Sequence, residues 1–365
     1  MSRCLITGGR IVTAADDYRA DILISGGRVS MIADAIPPED GMQVHDASGL
    51  MVLPGGVDVH THLETFIGPA RTADTVDSAT RAAAFGGTTT VIDFTRQPPG
   101  KSPVAGYGEW RGLAAKSCVD IGVHIILTDV KADMYEGMKE LMDKEGVTSF
   151  KVFMIRTGPE TIDDGQLQQI METTAEHGAL TCVHAENGPI LARNIADNLA
   201  AENTHPKFHS LSRPNTVEGE ATARAIRLSE MAEAPLYVVH VTAAEAVGAI
   251  TEARDRGQTV YGETCPQYLF LTKDAYETPG FEAAKYVMSP PLRSEEDQEA
   301  LWRALATGHL AVVSTDHCPF NFSAKTKGLE HSKELGLDSF TKIPNGAPGI
   351  ETRIAMVYDG GVRQG

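Results

Sequence analysis

Nowhere in the 365 residues do about eighteen apolar residues run together, so no stretch is long and apolar enough to span a bilayer as a helix. Basic residues are scarce relative to acids. Lys and Arg total 32 against 49 Asp and Glu, a formal net charge of −17. Such a surface repels phosphate and anionic lipid, which argues against nucleic-acid and membrane partners. Cysteine is sparse as well: Cys4, Cys118, Cys182, Cys265 and Cys318, with no C-x-x-C pair. Thiols that are odd in number and widely spaced do not make a disulfide framework and read as reduced cysteines of a cytoplasmic protein. At the N-terminus, Gly8, Gly9 and the charges of Arg3 and Arg10 interrupt any signal-like apolar core. Low-complexity segments and long interdomain linkers are missing too.

The length suits one large domain and a small one. Residues 4–12, 20–24 and 28–32 are short β-prone runs punctuated by Gly8-Gly9 and Gly26-Gly27, which predicts a small antiparallel sheet. From residue 57 the pattern changes to apolar strands alternating with Ala- and Glu-rich helical stretches. Strands are expected at 57–63, 88–94, 121–128, 149–154, 179–186, 236–243, 259–265 and 311–317. Helices such as 75–84, 216–232 and 244–255 lie between them. The first five strands begin about 30 residues apart, the length of one strand with its crossover helix. Eight such units over roughly 260 residues predict an α/β chain of (β/α)8 barrel type. The alternative, an open doubly wound sheet, would normally carry a G-x-G-x-x-G loop after its first strand, and none is there. The expected division is a small β-rich subdomain over 1–52, part of a β-sandwich, and the barrel over 53–365.

The Pro54-Gly55-Gly56 turn launches a short apolar run that carries His60 and His62. Side chains alternate along a strand, so these two imidazoles point the same way. An H-x-H pair alone is common, and each later candidate also has a plain structural reading. His184 and His240 could be core histidines, Asp316 a turn cap, and Lys151 an outward-pointing side chain. A barrel, however, gathers the C-terminal ends of its strands at one mouth. Those ends carry, in order, His60 and His62, Lys151, His184, His240 and Asp316. Buried ionisable groups are costly unless paired or metal-bound, so one metal centre explains them together.

Lys151 lies in the apolar run 149–154. A free lysine amine, with a pKa of about 10.4, is protonated at neutral pH and cannot ligate. Reaction with carbon dioxide gives an anionic carbamate with two oxygens. That group can bridge two cations, with His60, His62 and Asp316 holding one and His184 and His240 the other. Two divalent ions about 3.5–4 Å apart can share a hydroxide and polarise a carbonyl together. Imidazole and oxygen ligands favour zinc, with manganese or cobalt as alternatives.

Several motifs resemble the dihydropyrimidinase and D-hydantoinase family of cyclic amidohydrolases. They are Pro54-Gly-Gly-Val-Asp-Val-His-Thr-His62, Ala83-Ala-Phe-Gly-Gly-Thr-Thr-Thr90, Lys151-Val-Phe-Met154 and His184-Ala-Glu-Asn-Gly188. Further on come Glu218-Gly-Glu-Ala221, Tyr261-Gly-Glu-Thr-Cys-Pro-Gln-Tyr268, Ser289-Pro-Pro-Leu-Arg293, Thr315-Asp-His-Cys-Pro-Phe-Asn-Phe322 and Ile343-Pro-Asn-Gly346. The resemblance implies a barrel flanked by a small β-sandwich, with a carboxylated Lys151 bridging two zinc ions. It also implies hydrolysis of a ring amide to an N-carbamoyl amino acid, and a homotetramer, or else a homodimer. Asp316 then acts as general base and acid, while backbone groups at Ser289 and Asn345 hold the cyclic imide.

Two features depart from that pattern. Family members carry a tyrosine five residues after the bridging lysine, and here the position is Arg156. A guanidinium there could stabilise an oxyanion, bind a substrate carboxylate, or point into solvent. Glu64, Glu160, Asp163 and Asp164 are the acids that could offset its charge. The chain also stops at Gly365, where the family continues through further helices and the remaining sandwich strands. The expectation is an incomplete or truncated chain with an exposed sheet edge. Competing readings are an allantoinase-like ureide hydrolase and a non-catalytic dihydropyrimidinase-related scaffold. Dihydroorotases place an arginine two residues after H-x-H, and Glu64 stands there instead.

Overall fold

The computed structural model describes residues 3–155 and 161–364 and divides into two compact units, Met1–Gly56 and Val57–Gly365. Arg156 and Glu160 lie outside the described residues.

The first unit is one five-stranded sheet of β1 (Arg3–Val12), β2 (Asp17–Ser25), β3 (Arg28–Ala33), β4 (Gln43–Asp46) and β5 (Met51–Val52). The order is β3-β2-β1-β4, with β5 also on β1. The first three strands pair antiparallel, but β4 and β5 run parallel to β1, so the sheet is mixed rather than antiparallel. The reason is the return path: 34–42 crosses back before β4, and a crossover returns a strand parallel. Gly26 and Gly27 both have positive φ, 59° and 76°, which the tight β2–β3 hairpin requires. Small apolar clusters fill the two faces, Leu5, Leu23 and Ile36 on one and Ile11, Ala20 and Ile22 on the other. The buried Asp21 carboxylate ties them, accepting from the N–H groups of Gly8 (2.8 Å) and Ile36 (2.9 Å). At the sheet edges Val29, Met31 and Ile32 of β3 and Val44 of β4 stay exposed.

In the second unit eight parallel strands form the barrel: β6 (Gly56–Thr61), then, after a two-stranded hairpin of β7 (Phe66–Ile67) and β8 (Ala70–Arg71), β9 (Thr88–Arg96), β10 (Asp120–Ile126), β11 (Ser149–Phe153), β12 (Leu180–His184), β13 (Leu236–Val238), β14 (Val260–Thr264) and β15 (Val312–Val313). Neighbours follow that order, the chain sense of right-handed strand–helix–strand units. The two ends meet at a parallel bridge between Thr61 and His317. Asp58 fastens the seam, accepting from the Thr315 backbone N–H (3.1 Å) and hydroxyl (2.6 Å).

Helices pack outside through their apolar faces. Val76–Phe85 starts at a Thr75/Ser78 capping box and Asp164–Glu176 at an Asp163/Gln166 box, each satisfying N-terminal donors. Asn215–Met231 and Ala244–Asp255 approach closely through small residues. A Cβ on Gly219 would lie 2.6 Å from that of Glu245, so only glycine fits that crossing. Strand side chains such as Phe150, Val152, Val183 and Leu236 meet these helices in one core. Burying each contributes roughly 1.5–3 kcal/mol. No helix among the described residues is long and apolar enough to cross a membrane, and all five cysteines are free thiols.

All eight expected strands occur, but the sixth and eighth, which lead to His240 and Asp316, are shorter than the apolar runs suggest. The ladder ends at Val238 and Val313, before His240 and Asp316. Both of those residues have positive φ, 39° and 49°, which leaves the strand conformation and turns their side chains into the mouth. Non-glycine residues pay roughly 1–3 kcal/mol for such backbone, and it persists here because flanking groups hold it. The His240 N–H donates to Glu263 Oε1 (3.2 Å), and the Val241 N–H to the Glu263 carbonyl (2.7 Å).

Candidate active site

The barrel mouth brings together the six residues singled out at strand ends. His60 Nε2 and His62 Nε2 lie 3.3 Å apart, and Asp316 Oδ1 stands 3.1 and 3.2 Å from them. His240 packs between the two sides, its ring centroid 5.4 Å from that of His60 and 4.6 Å from that of His184. Ligand-capable atoms of His60, His240 and Asp316 all fall within 4.8 Å of one another. Lys151 is 1% exposed and points inward, its Nζ over the rings of Phe94 (4.9 Å) and Phe153 (5.0 Å). Among the described residues it has no ion pair, and its charge acts on all four imidazoles.

Burial and charge set the protonation of this cluster. Burial lowers Lys151 to about 8 and also depresses His62, His184 and His240. For His60 burial pulls the same way, but the Asp316 and Glu263 carboxylates overcome it and raise the imidazole to about 9. Asp316 is the mirror case: burial opposes its ionisation, and His60 and His62 hold it well below the usual carboxylate range.

Behind these groups stand carboxylates whose partners the sequence alone did not reveal. Glu263, fully buried on β14, bonds His60 Nδ1 and accepts from the Tyr237 hydroxyl (2.8 Å). Glu186 bonds His184 Nε2 at 2.6 Å and is itself clamped by Arg213 Nη1 at 2.8 and 2.9 Å. Such partners fix a ring's orientation and tautomer, leaving the other nitrogen for a ligand. Two carboxylates inside apolar strand ends, in His184-Ala-Glu186 and Tyr261-Gly-Glu263, were the available signal, because a buried acid demands a partner. A third buried pair, Glu218 with Arg293 (3.0 Å), ties the turn after β13 to the segment following Ser289.

The cluster floors a cavity of about 290 Å³. Phe66, Ile67 and Gly68 of the hairpin, with Phe153 and Ile155, form its apolar side. Ser289 and Asn345 also line it, and Ser289 Oγ and Asn345 Oδ1 are buried without a hydrogen-bond partner among the described residues. Among the described residues His62 Nδ1 and His240 Nδ1 likewise have no partner and are buried. A buried polar atom left unpaired costs about 1–3 kcal/mol, so this wall and floor suit groups that the polypeptide does not supply. Four imidazoles, one carboxylate and a buried lysine with no acid partner among the described residues fit a divalent metal centre. Of the acids expected to offset Arg156, Glu160 lies outside the described residues and the other three have partners among the described ones. Glu64 accepts from the Val76 N–H and pairs with Arg71 and Lys116, Asp163 caps its helix, and Asp164 pairs with Arg224.

A parallel barrel with such a mouth is the framework of the amidohydrolase family, whose model matches residues 51–347. A D-hydantoinase of Streptomyces coelicolor is 49% identical over 98% of this chain and 76% of its own length. One from Geobacillus stearothermophilus is 45% identical over 99% and 75%. The crystal structure of a dihydropyrimidinase from Brevibacillus agri superposes with a TM-score of 0.95 at 46% identity, covering all of this chain and 77% of that one. The chain belongs to the amidohydrolase family, in its dihydropyrimidinase and D-hydantoinase branch.

Proposed function

We propose that the protein is a metal-dependent hydrolase that opens the amide bond of a cyclic ureide or imide, of hydantoin or dihydropyrimidine type, to an N-carbamoyl amino acid. The observation that carries this reading is the convergence of His60, His62, His184, His240, Asp316 and the buried Lys151 beneath one small cavity. The relatives' shared activity on cyclic amides supports it. About 290 Å³ is at the low end for ligand sites and suits a single substituted ring.

His60, His62 and Asp316 would hold one divalent ion and His184 and His240 a second, with a carboxylated Lys151 between them. Bound there, the ions would polarise the ring carbonyl and lower the pKa of an attacking water. Zinc suits the imidazole-rich set, with manganese or cobalt as alternatives. The Asp316 carboxylate, beside both imidazoles, takes a proton as water adds to the carbonyl carbon. It then delivers that proton to the ring nitrogen as the C–N bond breaks, so the products are a carboxylate and a carbamoyl amide. Ser289 and Asn345 line the cavity, which supports the role of their backbone groups in holding the imide. Phe66, Ile67 and Phe153 exclude water and accommodate the ring substituent. Arg156 follows the apolar stretch 149–155 and enters this reading as a specificity residue at the family's tyrosine position.

Within the same proposal, residues 53–365 form the catalytic domain and 1–52 the small β-rich one. The five free thiols support a cytoplasmic location. The assembly is a homotetramer, with a homodimer as the smaller alternative, which light scattering distinguishes. The non-catalytic scaffold reading lacks support, since it goes with loss of the metal-ligating residues. Purified metal-loaded protein is to be assayed against hydantoin, 5-phenylhydantoin, dihydrouracil, allantoin and dihydroorotate. Turnover of the first three to N-carbamoyl products is expected. Preference for allantoin would move the assignment to an allantoinase, and inactivity on every ring would contradict it.

A further inference from the structure

The cavity wall with unpartnered polar atoms is made of two segments far apart in sequence, 287–290 and 343–347. What fastens them together is a second buried lysine, outside the six converging groups. Lys333 is 3% exposed and opens the short 3-10 stretch Lys333–Gly336. Its Nζ donates to the carbonyls of Val287 (2.8 Å), Pro344 (2.6 Å) and Gly346 (2.8 Å). An ammonium has three N–H donors, and all three are used. Among the described residues no carboxylate pairs with it; the Phe320 ring lies 5.5 Å from Nζ.

Those three acceptors are not scattered. Pro344 and Gly346 flank Asn345, and Val287 precedes Ser289 by two residues. The Gly346 N–H also donates to the Val287 carbonyl (3.1 Å), so one oxygen joins both segments and the lysine. Because a peptide unit is planar with its C=O and N–H opposed, drawing the Pro344 carbonyl to Lys333 turns the Asn345 N–H away from it. Neighbouring carbonyls are tied as well, Met288 to His209 Nε2 (2.7 Å) and Pro290 to the Tyr268 hydroxyl (2.9 Å). Gly346 has φ 151°, and a Cβ there would lie 2.2 Å from the Cys318 carbonyl, so the turn has no room to re-form differently. Burying an ammonium without a counter-ion is costly, and a methionine of similar volume would fill the space. What methionine cannot do is gather three carbonyls.

We infer that Lys333 is a positioning residue for ring recognition: it stands behind the cavity wall and sets where Ser289 and Asn345 meet the substrate. The inference rests on the cyclic-ureide reading of the cavity. Its test is Lys333→Met in the full-length, metal-loaded protein, with KM and kcat measured separately on the ring that wild type opens best. Metal content and melting temperature are measured alongside. KM should rise about tenfold or more with kcat changed less than about threefold, since the metal-holding groups are untouched and a small displacement of binding groups is costly. Metal content should match wild type. A KM within twofold of wild type, or a fall in kcat and metal content at unchanged KM, overturns the inference. If the methionine variant does not fold, Lys333→Arg decides. A planar guanidinium keeps the charge but cannot direct donors to three carbonyls converging on one nitrogen, so KM should still rise about threefold or more. An unchanged KM in that folded variant is the overturning result. A wild type that opens no ring overturns the ureide reading and this inference with it. An active wild type beside a variant of unchanged KM overturns this inference alone.

Discussion

Replacing Glu263 by glutamine removes one charge and almost no volume from a side chain with no exposed surface. One of its oxygens faces His60 Nδ1 and the His240 N–H, and the other faces the Tyr237 hydroxyl. A glutamine can keep that geometry: its carbonyl accepts from the two N–H groups, and its amide donates to the tyrosine oxygen, which rotates its own proton away. Packing is therefore preserved, and the loss is the negative charge behind His60. That charge raises the basicity of the imidazole whose Nε2 points at Asp316. Removing such a partner typically lowers metal affinity or activity by about 10–100-fold, or about 1.4–2.7 kcal/mol. Competition with a chromophoric chelator gives the affinity, and thermal melting of the metal-free variant checks the fold. We expect a melting temperature close to wild type with metal affinity down by that range. Affinity and kcat/KM both within about threefold of wild type would refute the assignment of Glu263 as the group that orients His60.

Asp316→Asn should lower turnover by at least about 10²–10⁴-fold, with residual metal retained by the histidines and Lys151; steady-state kinetics with metal analysis checks it, and a variant within a few-fold of wild type sinks the proton-transfer role. Glu186→Gln should weaken metal binding at His184 while sparing that at His60, read as loss of about one ion per chain by elemental analysis. His209 supplies a pH test of stability. Burial, aided by the Arg213 and Lys333 charges, depresses it to about 3. A folded pKa below the unfolded value means that the unfolded chain takes the proton first, so the contribution is complete above about pH 6.5 and is lost as pH falls toward 3. His209→Gln, which can still donate to the Met288 carbonyl, should flatten the acid limb of a urea-denaturation profile by a few kcal/mol; an unchanged slope between pH 6 and about 4 would contradict it.

The barrel was legible in the sequence because each of its strands is an apolar run of distinctive spacing, and because the ligand-type residues stand where those runs end. The ladder's true ends were not legible. His240 and Asp316 look like strand residues in Val238-Val239-His240-Val241 and Ser314-Thr315-Asp316-His317, yet their positive φ depends on hydrogen bonds from β14 and on the seam with β6. β4 and β5 escaped notice because they are four and two residues long, and β4 is exposed throughout, so no alternation marks them. Glu263, Glu186 and Lys333 were hidden for a different reason. An acid in an apolar strand end signals that Glu186 and Glu263 need partners but not which ones, and Lys333 carries no such signal; these roles exist only once distant segments meet. Arg156, read from sequence as the one departure inside the site, lies outside the described residues.

The proposed metal pair depends on Lys151, a buried lysine with no acid partner among the described residues, as its bridge. The most direct measurement is metal content of wild type and Lys151→Ala purified alike, by elemental analysis, with ring-opening activity measured on the same samples. Wild type should hold about two divalent ions per chain. The alanine variant should lose the bridged ion and its activity, and a short carboxylic acid should restore part of both. An alanine variant with full metal content and normal activity would contradict the bridging role of Lys151.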